Sequence, residues 1–586
     1  MNTHKLTLNQ LLLLILGFLL LIGRSIWEYL LPIRPTDYKG IIYFRDILIL
    51  LPATILIGSV LIRTQCHKSL SRLFDFVISK IRSMKNKPIG ITTFLFFIIF
   101  IECILISVLI FKTRAQIWDE ANYLFQAKLF ASGKLWANPP IVSGDFFNLK
   151  FIVLTGEKWF GSFFPGQSLI LTPGVLLGIS YAINPILTAI LLVVTVWAGS
   201  KLFSKSVGLI SGAFMILSPF VLFQGASYFS HILTAIFFTI TVVWILNCNL
   251  TDRWKPFGIG ICWGIVLICR PYSALILGLF TFFYWILRAK HNFLKVKKSF
   301  GFLSLVVIGI LPFITLFLGY NFCLTGNPFV TPHQIALPNE TIGLGVHTIK
   351  NTLINLTGLS VDLLGIPLLS LLPFAVYLFS RENRSKAICF LTVFYIIGYG
   401  LYRNHGLSYG PRFYFELFPL MLAASGRGLM ILPNYLFPKN KNIKVLIKKN
   451  VLIFWIITLL ISMLGVLPSR FSLFHKRGVL YDIENLVTQS VKKPALVLIS
   501  NPDEKRIYPY MAGFQLNNVN LDGSIIYARS LLGRNKELLA AFPHYNYYLL
   551  DVKKRLIIPY SPDNELSSSN EEKRFYSIQT NTIEID

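Results

Sequence analysis

Two adjacent carboxylates, Asp119 and Glu120, have the residue type and the surroundings that acid–base chemistry needs. They follow a long apolar run and come directly after Ile117 and Trp118. A carboxylate just above a membrane surface can act as a general base on an acceptor hydroxyl, provided that nearby lysine or arginine side chains keep it ionised. The same pair could instead begin an amphipathic helix, with Asp119 as its N-cap. The sequence leaves both interpretations open.

Arg270 is the second candidate, because it lies inside an apolar stretch immediately before Pro271. A charged side chain within the hydrocarbon region is costly unless it has a partner. A lipid phosphate is a suitable partner, since a guanidinium binds phosphate oxygens through two contacts at once. The alternative partner is an acid within the membrane, either Asp362 or Glu416.

The segment 404–416 contains a third candidate, Arg412, just after a Gly-Pro pair. That pair predicts a turn that directs the arginine side chain. Because the segment is predicted on the same side of the membrane, Arg412 could meet Asp119 and Arg270 in one cavity. Ordinary packing at the membrane interface is the alternative.

Other polar residues on this side are weaker candidates. Basic residues are scarce there, so three are possible phosphate ligands: Lys112, Arg114 and Lys158. The remaining candidates for contact with a substrate are His231, Tyr409 and His405. A lone histidine such as His231 is more often only hydrogen-bonded within a helix bundle.

The sequence contains no recognisable metal-ligand spacing and no nucleotide-binding loop. It has no CxxC pair, no HExxH and no Asp-x-Asp in a predicted outer loop. No glycine-rich phosphate loop follows a predicted strand. We therefore expect no metal and no soluble cofactor, and a donor that already lies in the membrane.

The composition places these residues in a polytopic membrane protein. Of the 586 residues, 54% are hydrophobic and 14% are charged. The net charge of +28 would suggest nucleic acid for a soluble protein, but here it marks cytoplasmic loops, so no nucleic-acid partner is expected. About thirteen transmembrane helices are predicted, near residues 9–31, 42–62, 91–111, 184–200, 206–223, 228–248, 257–270, 272–287, 300–320, 361–379, 387–402, 415–433 and 450–467.

The basic loops determine the predicted topology. The loop 63–90 is strongly basic and must be cytoplasmic. Later basic clusters fall on the same side only if 257–287 forms two short helices, with a break at Arg270-Pro271 in the outer half of the bilayer. The N terminus is then cytoplasmic, and the protein is predicted to lie in a bacterial inner membrane. Three long segments lie outside: 112–167, 321–360 and the tail from about 468 to 586.

The tail has the pattern of a small soluble α/β domain. Residues 495–500 and 524–527 indicate strands, and 535–541 indicate a helix. Acceptor binding, packing and docking of a partner are all open as its role. The predicted fold class is an all-α polytopic membrane protein with this C-terminal domain added. Its parts are two additional N-terminal helices with a basic loop (1–90), a catalytic membrane core (91–467) and the extracytoplasmic α/β domain (468–586).

Together these motifs resemble the GT-C superfamily of membrane glycosyltransferases. The resemblance is strongest to the bacterial relatives of protein O-mannosyltransferases (glycosyltransferase family 39) and of the aminoarabinose transferase that modifies lipid A. It covers residues from about 91 to 433. The motifs that carry it are Asp119-Glu120 with Tyr123, Phe164-Pro165-Gly166, Arg270-Pro271, Tyr320-Asn321, Gly326-Asn327-Pro328-Phe329 and Gly410-Pro411-Arg412-Phe413-Tyr414.

The resemblance implies an inverting transfer of a sugar from a polyprenyl-phosphate donor to a glycan, lipid or protein acceptor on the extracytoplasmic face. It implies that Asp119 is the general base, that Glu120 supports it, and that Tyr123 contacts the substrate. It also implies that Arg270 and Arg412 neutralise the departing lipid phosphate, and that no metal is needed.

The chain also departs from particular members of this superfamily. Its tail lacks a β-trefoil insert, and the Trp-Trp-Asp signature of oligosaccharyltransferases is absent. These departures count against protein O-mannosylation and N-glycosylation. The alternative function is a transporter or flippase of a lipid-linked saccharide, which would predict internal symmetry and sites near the membrane midplane. An O-antigen-type polymerase or ligase is a further alternative.

Overall fold

A computed structural model describes residues 88–561, together with a few helical residues between 12 and 57. Within 88–561 the residues outside the description are 250, 251, 253, 290–292, 339–341, 365–368, 381, 437–466, 469, 501–507 and 532. Most of the predicted region 1–90 and most residues of the predicted spans 9–31, 42–62 and 450–467 therefore lie outside the described residues. The number of about thirteen spans remains a prediction.

The described part of the chain consists mainly of apolar helices. A bent pair, Lys205–Ile216 and Pro219–Ala226, forms one possible span with an angle of 67° between its halves. The bend falls at Ser218, whose side chain caps the second half, and at Pro219, which has no N–H to continue a helix. Within the part of the chain that the structure describes, four unbroken helices are long and apolar enough to cross a membrane: Ile89–Ile110, Ser180–Leu202, Phe300–Thr325 and Arg412–Leu432.

The elements are numbered in chain order. The helices are α1 Pro88–Leu105, α2 Trp118–Ala131, α3 Pro165–Leu176, α4 Ser180–Leu202, α5 Lys205–Ile216, α6 Pro219–Ala226, α7 His231–Asn247, α8 Trp254–Cys269, α9 Pro271–Ala289, α10 Phe293–Thr325, α11 Pro332–Ala336, α12 Val346–Asp362, α13 Leu372–Leu378, α14 Asn383–Gly400, α15 Phe418–Leu436, α16 Glu484–Ser490, α17 Tyr508–Phe514 and α18 Asn535–Ala541. The strands are β1 Ile152–Leu154, β2 Trp159–Gly161, β3 Ala495–Ile499, β4 Ile525–Arg529, β5 Asn546–Asp551 and β6 Leu556–Pro559. Residues 470–481 are also helical.

The helix break predicted at Arg270-Pro271 is confirmed. Helix α8 ends at Cys269 and α9 begins at Pro271, so Arg270 is the single residue between them. A proline at the first position of a helix is favourable, because its missing N–H would have had no partner there. The break places the Arg270 side chain between two helix ends rather than on a continuous helix surface.

Close packing of small residues holds α8 against the long helix α10. A Cβ atom added to Gly260 would lie 2.1 Å from the Val306 carbonyl oxygen and 2.8 Å from the Cα of Gly309. Small residues at such crossings let two membrane helices approach at backbone distance. This contact fixes α8, and therefore the position of Arg270 at its end.

The predicted span 361–379 differs from the structure. Helix α12 lies in the segment 321–360 that the sequence assigned to an outer loop, and α13 covers only Leu372–Leu378. Helix α12 buries its polar face: Asn351 donates to the Arg403 carbonyl at 3.0 Å, and Asn355 donates to the His405 carbonyl at 2.8 Å. In its first half the apolar Val346, Ile349 and Leu353 are exposed instead, whereas Leu359 and Val361 near its end are buried. The helix therefore begins well before the apolar run that set the predicted boundary.

The tail contains the α/β arrangement that the sequence predicted. Its sheet has the order β4-β3-β5-β6, with β3 parallel to both β4 and β5, and β6 antiparallel to β5. Strand β3 is central, and all five of its residues are buried. The two strands and the helix that the sequence predicted correspond to β3, β4 and α18. Strands β5 and β6 were missed.

Candidate active site

Asp119 lies in the first turn of α2 and forms an ion pair with Arg412. Its Oδ1 is 3.1 Å from Nη1 of the guanidinium, and the two side chains are 14% and 10% exposed. The helix begins one residue earlier, with Ile117 as its N-cap, so the interpretation of Asp119 as the N-cap is wrong. The first turn is a favourable place for a carboxylate, because the helix dipole is positive there. Asp119 is therefore a partly exposed carboxylate facing a cation.

Glu120 is fully buried and has different partners from its neighbour. Its Oε1 accepts a hydrogen bond from the Tyr409 hydroxyl at 2.6 Å, and its Oε2 accepts from the backbone N–H of Gln116 at 3.1 Å. Burial raises the pKa of Glu120 to about 7, although both hydrogen bonds act in the opposite direction. The two adjacent carboxylates thus have separate surroundings, although both contact the 404–416 segment, Asp119 through Arg412 and Glu120 through Tyr409.

Arg270 lies in a buried group with Glu416 and His231. Its Nε is 2.9 Å from Glu416 Oε1, its Nη1 is 3.3 Å from His231 Nε2, and its Nη2 is 3.4 Å from the Tyr399 hydroxyl. The other ring nitrogen of His231 is 3.1 Å from the same Glu416 oxygen. Of the two partners that the sequence left open, the ion pair with Glu416 is therefore present in this structure.

The two arginines lie against the same aromatic ring. The guanidinium carbon of Arg270 is 5.5 Å from the centroid of Phe413, and that of Arg412 is 5.6 Å from it. Arg412 also lies 4.6 Å from the centroid of Phe229. Aromatic faces attract cations and carry no donors that would compete for an anion. The structure thus brings Asp119, Arg412 and Arg270 together around Phe413.

Tyr123 belongs to the same region, one helical turn after Asp119 on α2. Its hydroxyl is 2.9 Å from Ser230 Oγ, next to His231, and its ring is 4.9 Å from that of Phe163. Burial raises the pKa of Tyr123 to about 12. The hydroxyl therefore stays protonated and can act as a hydrogen-bond donor.

The weaker sequence candidates have other contacts. The Lys158 ammonium donates to the Cys323 carbonyl at 2.8 Å and lies 4.6 Å from the centroid of Trp136. The Nδ1 of His405 accepts from the Leu407 N–H at 3.0 Å. Lys112 lies in a left-handed turn with a φ of 53°. None of these contacts joins them to Asp119, Arg270 or Arg412.

Sequence reasoning missed two tyrosines of α14. The Tyr395 hydroxyl donates to Glu416 Oε2 at 2.9 Å, and the Tyr399 hydroxyl, already next to Arg270, is 2.7 Å from Ser273 Oγ. A signal was available, because hydroxyl groups four residues apart lie on one face of an otherwise apolar helix. Two hydroxyl groups on one face of a membrane helix usually have a polar partner within the protein.

A second buried ion pair was also missed. Arg470 pairs with Asp362, the other acid that the sequence offered to Arg270, at 2.5 Å. The sequence assigned residue 470 to the tail and gave no reason to connect it with the membrane helices.

Among the described residues, no group of three or more His, Cys, Asp or Glu side chains could hold a metal ion.

Comparison with other proteins identifies the fold that carries this arrangement. No protein-family model and no curated protein sequence matches the chain. Among solved structures it is similar to ArnT from Cupriavidus metallidurans bound to undecaprenyl phosphate, with a TM-score of 0.50 and 12% identity, covering 82% of this chain and 94% of that one. It is also similar to the oligosaccharyltransferase AglB from Archaeoglobus fulgidus, with a TM-score of 0.43 and 12% identity, covering 76% of this chain and 65% of that one. The likeness to ArnT shows that the chain has the GT-C fold that its motifs predicted.

Proposed function

We propose that this protein is a membrane glycosyltransferase that moves a sugar from a polyprenyl-phosphate donor to an acceptor on the extracytoplasmic face. The observation that carries the proposal is the partly exposed Asp119–Arg412 pair, which lies with Arg270 around Phe413. A base for the acceptor and cations for the phosphate are the two requirements of this reaction. The fold shared with ArnT, whose structure holds undecaprenyl phosphate, supports a lipid phosphate as the ligand.

In the proposed reaction, Asp119 takes the proton of the acceptor hydroxyl while the hydroxyl oxygen attacks C1 of the sugar. The bond between C1 and the phosphate oxygen breaks on the opposite face, and its electron pair leaves with the polyprenyl phosphate. The configuration at C1 is therefore inverted. Arg412 and Arg270 stabilise the negative charge that develops on the leaving phosphate.

The neighbouring polar residues position these groups. Glu120 holds the start of α2 against Tyr409 and so keeps Asp119 near the turn that carries Arg412. His231 contacts both Arg270 and Glu416 and orients the guanidinium. We assign Tyr123 to contact with the substrate, because its protonated hydroxyl lies on the same helix as the base.

The alternative function is a transporter or flippase of a lipid-linked saccharide. A transporter needs a site near the membrane midplane that opens in turn to each side. The GT-C fold and the clustering of base and cations around one ring favour a transferase.

We also propose that the protein lies in a bacterial inner membrane, with its N terminus in the cytoplasm and its tail outside.

The proposal is tested by replacing Asp119 with Asn, which keeps the side-chain shape but removes the base. Loss of a general base typically costs about 10²-fold to 10⁴-fold in rate. A strain lacking the protein is complemented with wild type or with Asp119→Asn, and its surface glycans are compared by mass spectrometry. We expect the variant to be present in the membrane and the sugar modification to be lost.

The matched control is Asp145→Asn, in the same outer loop. Asp145 is 57% exposed and pairs with Arg534 of the tail at 2.9 Å. It should restore the modification as wild type does. If Asp119→Asn restores it equally well, the assignment as a transferase with this base is refuted.

A further inference from the structure

The helical residues 470–481, which lead into the tail, pack against residues next to the candidate site. The ring of Phe474 is 4.9 Å from that of Tyr409 and 5.8 Å from that of Phe111. A Cβ atom added to Gly478 would lie 2.1 Å from the Ile110 carbonyl oxygen, so no space separates this segment from the start of the first outer loop. We call residues 470–481 the linker helix. It is in backbone contact with the elements that position the base.

Arg470 connects the linker helix to two other parts of the chain. Its Nη2 is 2.5 Å from Asp362 Oδ1, and its Nη1 donates to the Tyr409 carbonyl at 3.4 Å. Arg470 is 9% exposed and Asp362 only 1%. Because water has little access to these two charges, each can be satisfied only by the other, and the ion pair is held in one geometry. Arg470 therefore fixes the Tyr409 backbone relative to the end of α12.

Tyr409 needs such support, because its backbone is in an unfavourable conformation. Its φ of 61° lies in the left-handed region, which is unfavourable for a residue with a Cβ atom. The next residue, Gly410, has a φ of 142°, and a Cβ atom there would lie 2.9 Å from a carboxylate oxygen of Asp362. Strained turns of this kind persist where their surroundings hold them. Glu120 holds the Tyr409 hydroxyl and Arg470 holds its carbonyl, three residues before Arg412.

We infer that Arg470 is a positioning residue for Arg412. By holding the carbonyl of Tyr409, it sets where the turn places the guanidinium that binds the lipid phosphate. The inference rests on the proposed function, since its effect is on that phosphate. The linker helix thereby becomes part of the site, although it precedes a domain of different fold.

The experiment measures binding of undecaprenyl phosphate to the purified full-length protein in detergent. The test variant is Arg470→Gln combined with Asp362→Asn, which removes both charges and leaves no buried charge unpaired. We expect an affinity about 10-fold weaker than that of wild type, with a similar melting temperature. The matched control, Arg427→Gln with Glu382→Gln, removes a different ion pair between an arginine and an acid, also at 2.5 Å, and should bind as wild type does.

A double-mutant cycle separates positioning from a general effect on folding. In an Arg412→Gln background, the Arg470 and Asp362 changes should cause no further loss of affinity, because the group that they position is already gone. An equal 10-fold loss in both backgrounds, or no loss in wild type, overturns the inference. If the combined variant does not fold, Arg470→Lys replaces it. That side chain can face Asp362 but lacks the second arm that reaches Tyr409, so it should lose affinity and an unchanged affinity would contradict the inference.

Failure of the proposed function gives a different result. If wild type does not bind undecaprenyl phosphate, the proposed function is refuted and this inference falls with it. If wild type binds and Arg412→Gln weakens binding while the Arg470 variants do not, only the inference is wrong.

Discussion

The Asp119–Arg412 pair and the group of Arg270, Glu416 and His231 hold their arginines in different ways. All three guanidinium nitrogens of Arg270 lie within 3.4 Å of a protein group, and its acid partner Glu416 is completely buried. Arg412 has its acid partner at 3.1 Å, and two of its nitrogens, Nε and Nη1, make no hydrogen bond among the described residues, whereas for Arg270 this holds only of Nε. The Asp119 side chain is 14% exposed.

The difference determines which arginine can bind a phosphate at the lower cost in free energy. Separating Arg270 from Glu416 would leave a charge that water cannot reach, whereas Asp119 can be solvated when Arg412 turns to another anion. Arg412 also has donor capacity in reserve, which a phosphate can use. We therefore expect Arg412 to be the main phosphate ligand and Arg270 to contribute through its field and by maintaining the structure. The sequence gave Arg270 the greater weight.

The largest expected effect is a loss of stability on breaking the Arg270 group. Arg270→Met leaves Glu416 buried without its cation, which typically costs about 3–5 kcal/mol. Thermal unfolding of the purified protein measures this loss, and adding Glu416→Gln should recover most of it. The control Arg427→Met removes a pair whose side chains are about one-third exposed, and should cost about 0–1 kcal/mol. Equal losses for Arg270 and Arg427 would contradict the contrast.

The second effect is a pH dependence of the protein's stability, and it comes from Glu120, the neighbour of Asp119. Burial raises the pKa of Glu120 from 4.5 to about 7, so between these values the folded protein keeps a proton that the unfolded chain has released. Its contribution to stability is complete below pH 4.5 and is lost as the pH rises to 7. The expected loss is about 3 kcal/mol.

Melting curves of wild type and Glu120→Gln at several pH values measure this effect. The variant should show a smaller fall in stability between pH 5 and pH 7. The matched control is Glu157→Gln, at an exposed glutamate of the same outer loop, and it should follow wild type. A fall of the same size in Glu120→Gln would show that another group titrates.

The comparison itself shows what a sequence can and cannot provide. The break at Arg270 was predictable, because the alternation of basic loops allowed only two short helices there and Pro271 gave the boundary. The partner of Arg270 was not predictable from the sequence, because Glu416 and Asp362 are both far from it along the chain and only the packing of the helices selects between them. Helix α12 was missed because it exposes apolar residues and buries Asn351 and Asn355, the reverse of the pattern in a soluble protein.

The same limit applies within the site. The acidic pair at the start of the outer loop was visible in the sequence, but not its division into a partly exposed Asp119 and a buried Glu120. That division follows from the contact of Glu120 with Tyr409, which is remote along the chain. Arg470 was missed for the same reason, because nothing near it in sequence indicates that it contacts Asp362.

The third effect compares the two arginines directly as phosphate ligands. A lysine keeps the charge but cannot bind phosphate oxygens in the forked geometry of a guanidinium. Arg412→Lys should weaken binding of undecaprenyl phosphate about 10-fold, which corresponds to one lost charge-assisted hydrogen bond. Arg270→Lys should weaken it less, relative to the folded fraction. If Arg270→Lys has the larger effect on affinity, Arg270 is the main phosphate ligand and the order proposed above is reversed.

The smallest expected effect comes from Lys158, which the sequence offered as a further phosphate ligand. Its ammonium is engaged with the Cys323 carbonyl at 2.8 Å and with the face of Trp136 at 4.6 Å, and neither contact leads to Phe413, where the two arginines meet. Lys158→Gln should therefore change the affinity for undecaprenyl phosphate by less than about 2-fold, since a partly exposed cation outside the site is screened by salt. The same titration as for Arg412→Lys measures it. A loss as large as that of Arg412→Lys would mean that the phosphate lies nearer the end of α10 than the Asp119–Arg412 pair does, and the contrast between the two arginines would then describe the wrong site.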